Sequence, residues 1–191
     1  LQIVQKVYPF GEDPAGSRRG IYRLADYCYN FWYRFVFPNR PEIESGNGDL
    51  IADSELTPEQ LNGYIGKPAF EDICRQYLNR LNRTKELPFT ATSFGSWWGN
   101  DPKAKAQTDL DVIAANKNQK QILIGECKWR PSDTLGSSDI ASWMSKTHLL
   151  PEYTERYYYC FSKAGFTDSV KSFAEQQERL KLIRLGDLFS L

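Results

Sequence analysis

Two apolar rhythms run along the chain and separate its strands from its helices. The stretches "LPFTATSFGSWWG", "TDLDVIAA", "QILIGECKW", "RYYYCFS" and "LKLIRL" are short, continuous or alternating apolar runs rich in β-branched and aromatic residues, bounded by turn residues, which is the pattern of strands. "GKPAFEDICRQYLNRLNR" instead sets Phe70, Ile73, Cys74, Tyr77, Leu78 and Leu81 at helical spacing, with Pro68 suited to a first turn. Further helices are predicted around Ile140 to Leu150, ended by Pro151, and over "TDSVKSFAEQQ", capped by Thr167. The resulting order, α-β-β-β-α-β-α-β, predicts an α/β layer fold with a mixed sheet.

The first third follows other patterns. Residues 1–24 read as a hairpin, two extended segments around the turn-rich "GEDPAGSRRG". Asp26 can cap a helix through "YCYNFWYRFVF", ended by Pro38. This helix is apolar nearly all round, which predicts burial on several sides. In residues 38–62, Arg40 alone faces Glu42, Glu44, Asp49, Asp53, Glu55 and Glu59, with Pro, Gly and Asn between them. The stretch reads as an acidic linker with a short helix after Thr57-Pro58. Three sections are therefore expected: 1–37, hairpin and aromatic helix; 38–62, linker; 63–191, the α/β domain. Leu1 is not Met and already belongs to an apolar alternation, so the chain reads as part of a longer protein.

Composition narrows the function. Lys plus Arg and Asp plus Glu are both 24, so bulk charge gives no general affinity for phosphate backbones. Six cations stand against four acids over residues 97–130, a weak excess that reads as solvated surface. Four cysteines without a CxxC pair, and a single histidine, His148, exclude a Cys/His zinc site. The cysteines sit in apolar runs and read as buried thiols of a reducing compartment, hence a cytoplasmic location. No run of about 18 apolar residues offers a membrane helix.

The chemistry concentrates in "ILIGECKWR". Glu126 and Lys128 leave the same face of a strand that otherwise looks interior. They are either a structural ion pair or part of a site. "DVIAANKNQKQILIG" has the shape of a hairpin. A two-residue loop at Lys117-Asn118 sets Asp111 opposite Ile124 and Asp109 opposite Glu126. A four-residue loop keeps the same facing, and an odd-numbered loop inverts it. A bulge at Gly125 would also change it. With the facing kept, Asp109, Asp111, Glu126 and Lys128 share one patch. Carboxylates that close resist joint ionisation unless a positive charge joins them. Lys128 supplies one charge, and a hard divalent cation, Mg2+ or Mn2+, supplies two.

Asp111, fourteen intervening residues, then Glu126-Cys127-Lys128 resembles the PD-(D/E)XK nuclease signature. The preceding helix carries Glu71, as the first core helix of that superfamily often carries an acidic ligand. The segments "GIYRLADYCYNFWYRFVFPN", "GKPAFEDICRQYL", "WWG", "TDLDVIA", "GECKW", "YYYCFSKAGF" and "LIRLGDLF" are similar to the C-terminal part of prokaryotic, mostly archaeal, AAA-type ATPases whose tail is of the DUF234 type. The resemblance implies a restriction-endonuclease-like αβββαβ core with a mixed sheet, preceded by a winged-helix wing remnant (residues 1–24) and an aromatic linker helix. It implies an ATPase module earlier in the same protein, although no Walker A pattern occurs here. It also implies Mg2+-dependent cleavage of DNA, with Asp111 and Glu126 as metal ligands, Glu71 as a further ligand through water, and Lys128 as the catalytic lysine. The family usually has Glu two residues before the metal Asp, and this chain has the shorter Asp109. The other reading is an inactive module of the same fold that binds nucleic acid or a partner protein and regulates the ATPase.

Overall fold

The computed structural model describes residues 3–130 and 135–190. The chain divides into two compact units, residues 1–69 and 70–191.

In the first unit, strands β1 (Val4–Val7) and β2 (Ile21–Leu24) pair antiparallel as the expected hairpin. Helix α1 (Tyr27–Phe31) starts at Asp26, whose carboxylate accepts the Cys28 and Tyr29 amides at 2.7 and 3.2 Å. Pro38 does not end the helical path. The chain continues through a wider turn (Trp32–Val36) and a tight one (Phe37–Asn39) into α2 (Arg40–Glu42), α3 (Gly48–Glu55) and α4 (Pro58–Tyr64). The stretch read as a linker is thus mostly helical and belongs to the first unit. Each proline stands in the opening turn of its segment, where its missing N–H has no partner to lose. The aromatic helix is also more open than its composition predicts. Phe35 is buried, whereas Trp32, Tyr33 and Phe37 are 44%, 51% and 53% exposed. A unit this small has too little interior for so many aromatic rings. Cys28 is exposed as well, contrary to the reading of all four thiols as buried.

The second unit begins at α5 (Phe70–Thr84) rather than at Gly63. Its predicted stripe is the one that packs: Phe70, Cys74 and Leu78 are fully buried, and Ile73, Tyr77 and Leu81 flank them. Strands β3 (Ser93–Asp101), β4 (Ala106–Asn116), β5 (Gln121–Lys128), β6 (Glu155–Ser162) and β7 (Leu180–Arg184) form one sheet in sequence order. The first three are antiparallel, and β5, β6 and β7 run parallel. A mixed α/β architecture is therefore present. Helix α6 (Ser137–Met144) lies in the β5–β6 crossover, and α7 (Asp168–Glu175), capped by Thr167, in the β6–β7 crossover.

Both faces of the central strands are covered, which explains their nearly unbroken apolar runs. One face packs Val112, Ala114, Leu123, Tyr159 and Phe161 against α5. By alternation, Ile113, Ile122 and Ile124 face the opposite way and are also buried. On that side α6 contributes the buried Ile140 and Trp143, and the Trp143 ring meets Tyr158 edge-on, 5.4 Å between centroids.

Candidate functional site

The β4–β5 connection is a four-residue turn, Lys117–Lys120, so Ile113 rather than Asp111 stands opposite Ile124. The shift is two residues, and the facing of the paired positions Val112–Asn116 is kept. Pairing ends at Val112–Gly125. One step further, the ladder gives way to a side chain: Asp111 Oδ2 accepts the Cys127 N–H at 2.7 Å. On the other edge of β4, Gly95 pairs with Ile113 but Trp97 pairs with Leu110. Asp111 and Val112 together therefore oppose Ser96, which is a β-bulge. A bulge turns a side chain away from regular alternation and frees it for local work. No bulge occurs at Gly125 itself. A Cβ there would lie 3.0 Å from Phe161 and 3.2 Å from Val112, so that position is glycine because β4 and the β6 ring approach closely.

Asp111 is buried, 9% exposed, and its pKa is raised to about 7. Burial is the main cause. The Glu126 and Glu71 charges add to it, the Cys127 amide opposes it, and Asp109 contributes least. Glu126 and Lys128 form an ion pair and are mostly buried. Burial works against the Lys128 ammonium, but the charge and hydrogen bond of Glu126, with Asp111 behind it, raise its pKa overall. Lys128 therefore stays cationic, suited to stabilising negative charge and unsuited to accepting a proton. The Cys127 thiol is pushed well above its ordinary pKa by burial and by its hydrogen bond to Cys74, so it is a packing group and no nucleophile.

The predicted residues thus divide. Asp111, Glu126 and Lys128 meet where β4 and β5 part. Glu71, in the first turn of α5, bears on Asp111 by charge. Its neighbour Asp72 forms an ion pair with Arg75 one helical turn on. Asp109 is exposed and pairs across the ladder with Trp98. His148 lies apart, donor or acceptor to Asp101 at 2.7 Å. Burial disfavours the Asp101 carboxylate, yet His148 and the Ala104 and Lys103 amides hold its pKa below the usual value.

Among the described residues, no group of three His, Cys, Asp or Glu side chains forms a ready metal cage. A smaller donor set still fits a hard cation. Mg2+ is commonly held by one or two carboxylates, with water and substrate phosphate completing its shell, and Asp111 and Glu126 provide two. Burial and then the neighbouring charges raise the Asp111 pKa, and a bound cation would favour its ionised form. Glu71 adds negative charge nearby but completes no three-ligand group.

A feature the sequence did not disclose adjoins these groups. A cavity of about 230 Å³ lies beside Glu126 and Lys128, lined also by Arg130, Leu135, Asp139, Ile140, Trp143 and Cys160. The apolar face of α6 was legible, but that it roofs this end of β5 depends on the crossover path.

A family model for DUF234, described as archaea bacterial proteins of unknown function, matches residues 32–140. An uncharacterized protein of Methanocaldococcus jannaschii is 32% identical over 130 residues, covering 68% of this chain and 27% of that protein. The chain thus spans about a quarter of that relative's length. No solved structure matches it.

Proposed function

We propose that this chain, which belongs to the DUF234 family, carries a divalent-cation-dependent phosphodiester hydrolase site of the PD-(D/E)XK type that acts on DNA. The observation that carries the reading is the meeting of Asp111, at the bulge of the second sheet strand, with the Glu126–Lys128 pair on the third. The helix, antiparallel trio and parallel return of the second unit are the context in which a restriction-endonuclease-like core presents such residues. In the same proposal, the first unit's hairpin is a winged-helix wing, and the chain is the C-terminal part of an AAA-type ATPase. The matched region being 27% of its longer relative accords with that.

Asp111 and Glu126 would hold Mg2+ or Mn2+. The bound ion would polarise a phosphoryl oxygen and acidify a water for in-line attack. The chain's own residues supply the rest. The Lys128 ammonium, kept charged by Glu126, offsets the charge that builds on the phosphate oxygens. Asp111, tied to the Cys127 amide, keeps its carboxylate fixed where the strands separate.

The test is cleavage of labelled DNA by the protein with Mg2+, comparing wild type with Lys128→Ala and Asp111→Ala. Loss of cleavage in both, by a factor of about 100 or more, supports the site; cleavage equal to wild type in both refutes it. One observation favours the second reading, a non-cleaving module that regulates the ATPase: burial and neighbouring charges raise the Asp111 pKa, and Lys128 is paired with Glu126. A wild type that binds DNA or a partner protein without cutting DNA in Mg2+ or Mn2+ would establish it.

A further inference from the structure

The first unit carries an apolar groove of about 250 Å³. Phe31, Phe35 and Val36, from α1 and the wider turn after it, line the groove together with Ile51, Ala52 and Leu56, from α3 and its end. Of these six only Phe35 is buried, and the others are open to solvent in part. Apolar surface gathered in an open, concave patch with a polar rim is the mark of a contact site.

Charge says what fits there. Residues 38–62 hold one cation, Arg40, against six acids, in a chain that is neutral as a whole. Glu55 lines the groove itself. In α3, Asp49 follows the groove residue Gly48, and Asp53 follows Ala52, each by about 100° of helical turn, so both flank the groove and both are exposed. Glu42 and Glu44 bracket Ile43, a further lining residue. Arg40 is already engaged by Glu44 at 2.6 Å. Arg34 lies over the Phe35 and Tyr64 rings. Asp49 and Asp53 have no ion pair among the described residues.

This rim repels nucleic acid and anionic lipid headgroups, and an isologous pairing of two copies would set acid against acid. The walls are helical turns, which offer no strand edge for an extended peptide to lengthen. A helix arrives with its backbone hydrogen bonds already made. We propose that the groove receives a cationic amphipathic helix of a partner protein, its apolar stripe against Phe31, Phe35 and Ile51 and its Lys and Arg side chains toward Asp49, Asp53 and Glu55. The surface belongs wholly to the first unit, so the proposal is independent of the hydrolase reading.

The test titrates the full chain with labelled synthetic helices, read by fluorescence anisotropy. One helix has leucines at i, i+3, i+4 and i+7 with lysines elsewhere. A second has glutamates in place of the lysines, and a third scrambles the first so that its apolar stripe is lost. The lysine helix is expected to bind, and to bind less tightly as salt is added. The other two are expected to bind at least about tenfold more weakly. Ala52→Lys, at an exposed position of α3, obstructs the groove and repels the peptide, and is expected to weaken binding about tenfold or more. The paired change Asp49→Asn, Asp53→Asn keeps the groove and is expected to weaken binding about threefold. No binding of the lysine helix at about 100 μM, equal affinity for the glutamate or scrambled helix, or unchanged affinity in Ala52→Lys overturns the proposal. Self-association of the chain that Ala52→Lys abolishes also overturns it, because a second copy would then be the occupant.

Discussion

Asp111→Asn changes one oxygen for nitrogen and removes one titration. In the native state the Asp111 pKa is about 7, against 3.8 for the ordinary group. Between those values the folded chain holds a proton that the unfolded chain has lost. Stability therefore falls as pH rises through that window, and the full loss is reached above the folded pKa. At about 1.36 kcal/mol for each tenfold difference in proton affinity, the rise sets the loss at about 4 kcal/mol. Asparagine is neutral at every pH, fits the same volume, and can still accept the Cys127 N–H. Urea unfolding of wild type and Asp111→Asn from pH 5 to pH 8.5 measures the difference, and subtraction removes the titrations the two proteins share. The variant is expected to be more stable than wild type by about 1.5 kcal/mol at pH 5 and by about 4 kcal/mol at pH 8.5. Mg2+ at pH 8.5 is expected to raise the stability of wild type and to leave the variant nearly unchanged, because a ligand of the folded state stabilises only the protein that binds it. A wild type whose stability relative to the variant stays level or rises with pH refutes the account of Asp111 as a crowded, buried carboxyl.

Two further substitutions test the packing around the site. Gly125→Ala puts a methyl 3.0 Å from the buried Phe161 ring and 3.2 Å from Val112, and is expected to destabilise by about 1–3 kcal/mol; an unchanged urea midpoint would show that β4 and β6 can yield. Tyr159→Phe removes a buried hydroxyl that has no hydrogen-bond partner among the described residues, so it is expected to be neutral or stabilising by up to about 1 kcal/mol. A marked loss of stability in thermal unfolding would reveal a partner for that hydroxyl.

The exposed aromatic helix shows where pattern misleads. Its composition speaks of burial, and the first unit leaves Trp32, Tyr33 and Phe37 half open. The acidic stretch after it misleads the other way, since its prolines mark the starts of helical segments as readily as breaks.

The α/β order, the α5 stripe and the shared face of Glu126 and Lys128 are all written in periodicity, because strand and helix repeats are local properties of the backbone. The four-residue loop keeps the facing that a two-residue loop would give for the same reason: a two-residue shift is a whole strand period. What periodicity cannot carry is distance across the fold. The bulge that sets Asp111 on the Cys127 amide depends on how β3 meets β4. The charge Glu71 imposes on Asp111 depends on where α5 crosses the sheet, and the cavity under Trp143 depends on the crossover of α6. Those are meetings of residues far apart in the chain, and packing of the whole α/β unit decides them.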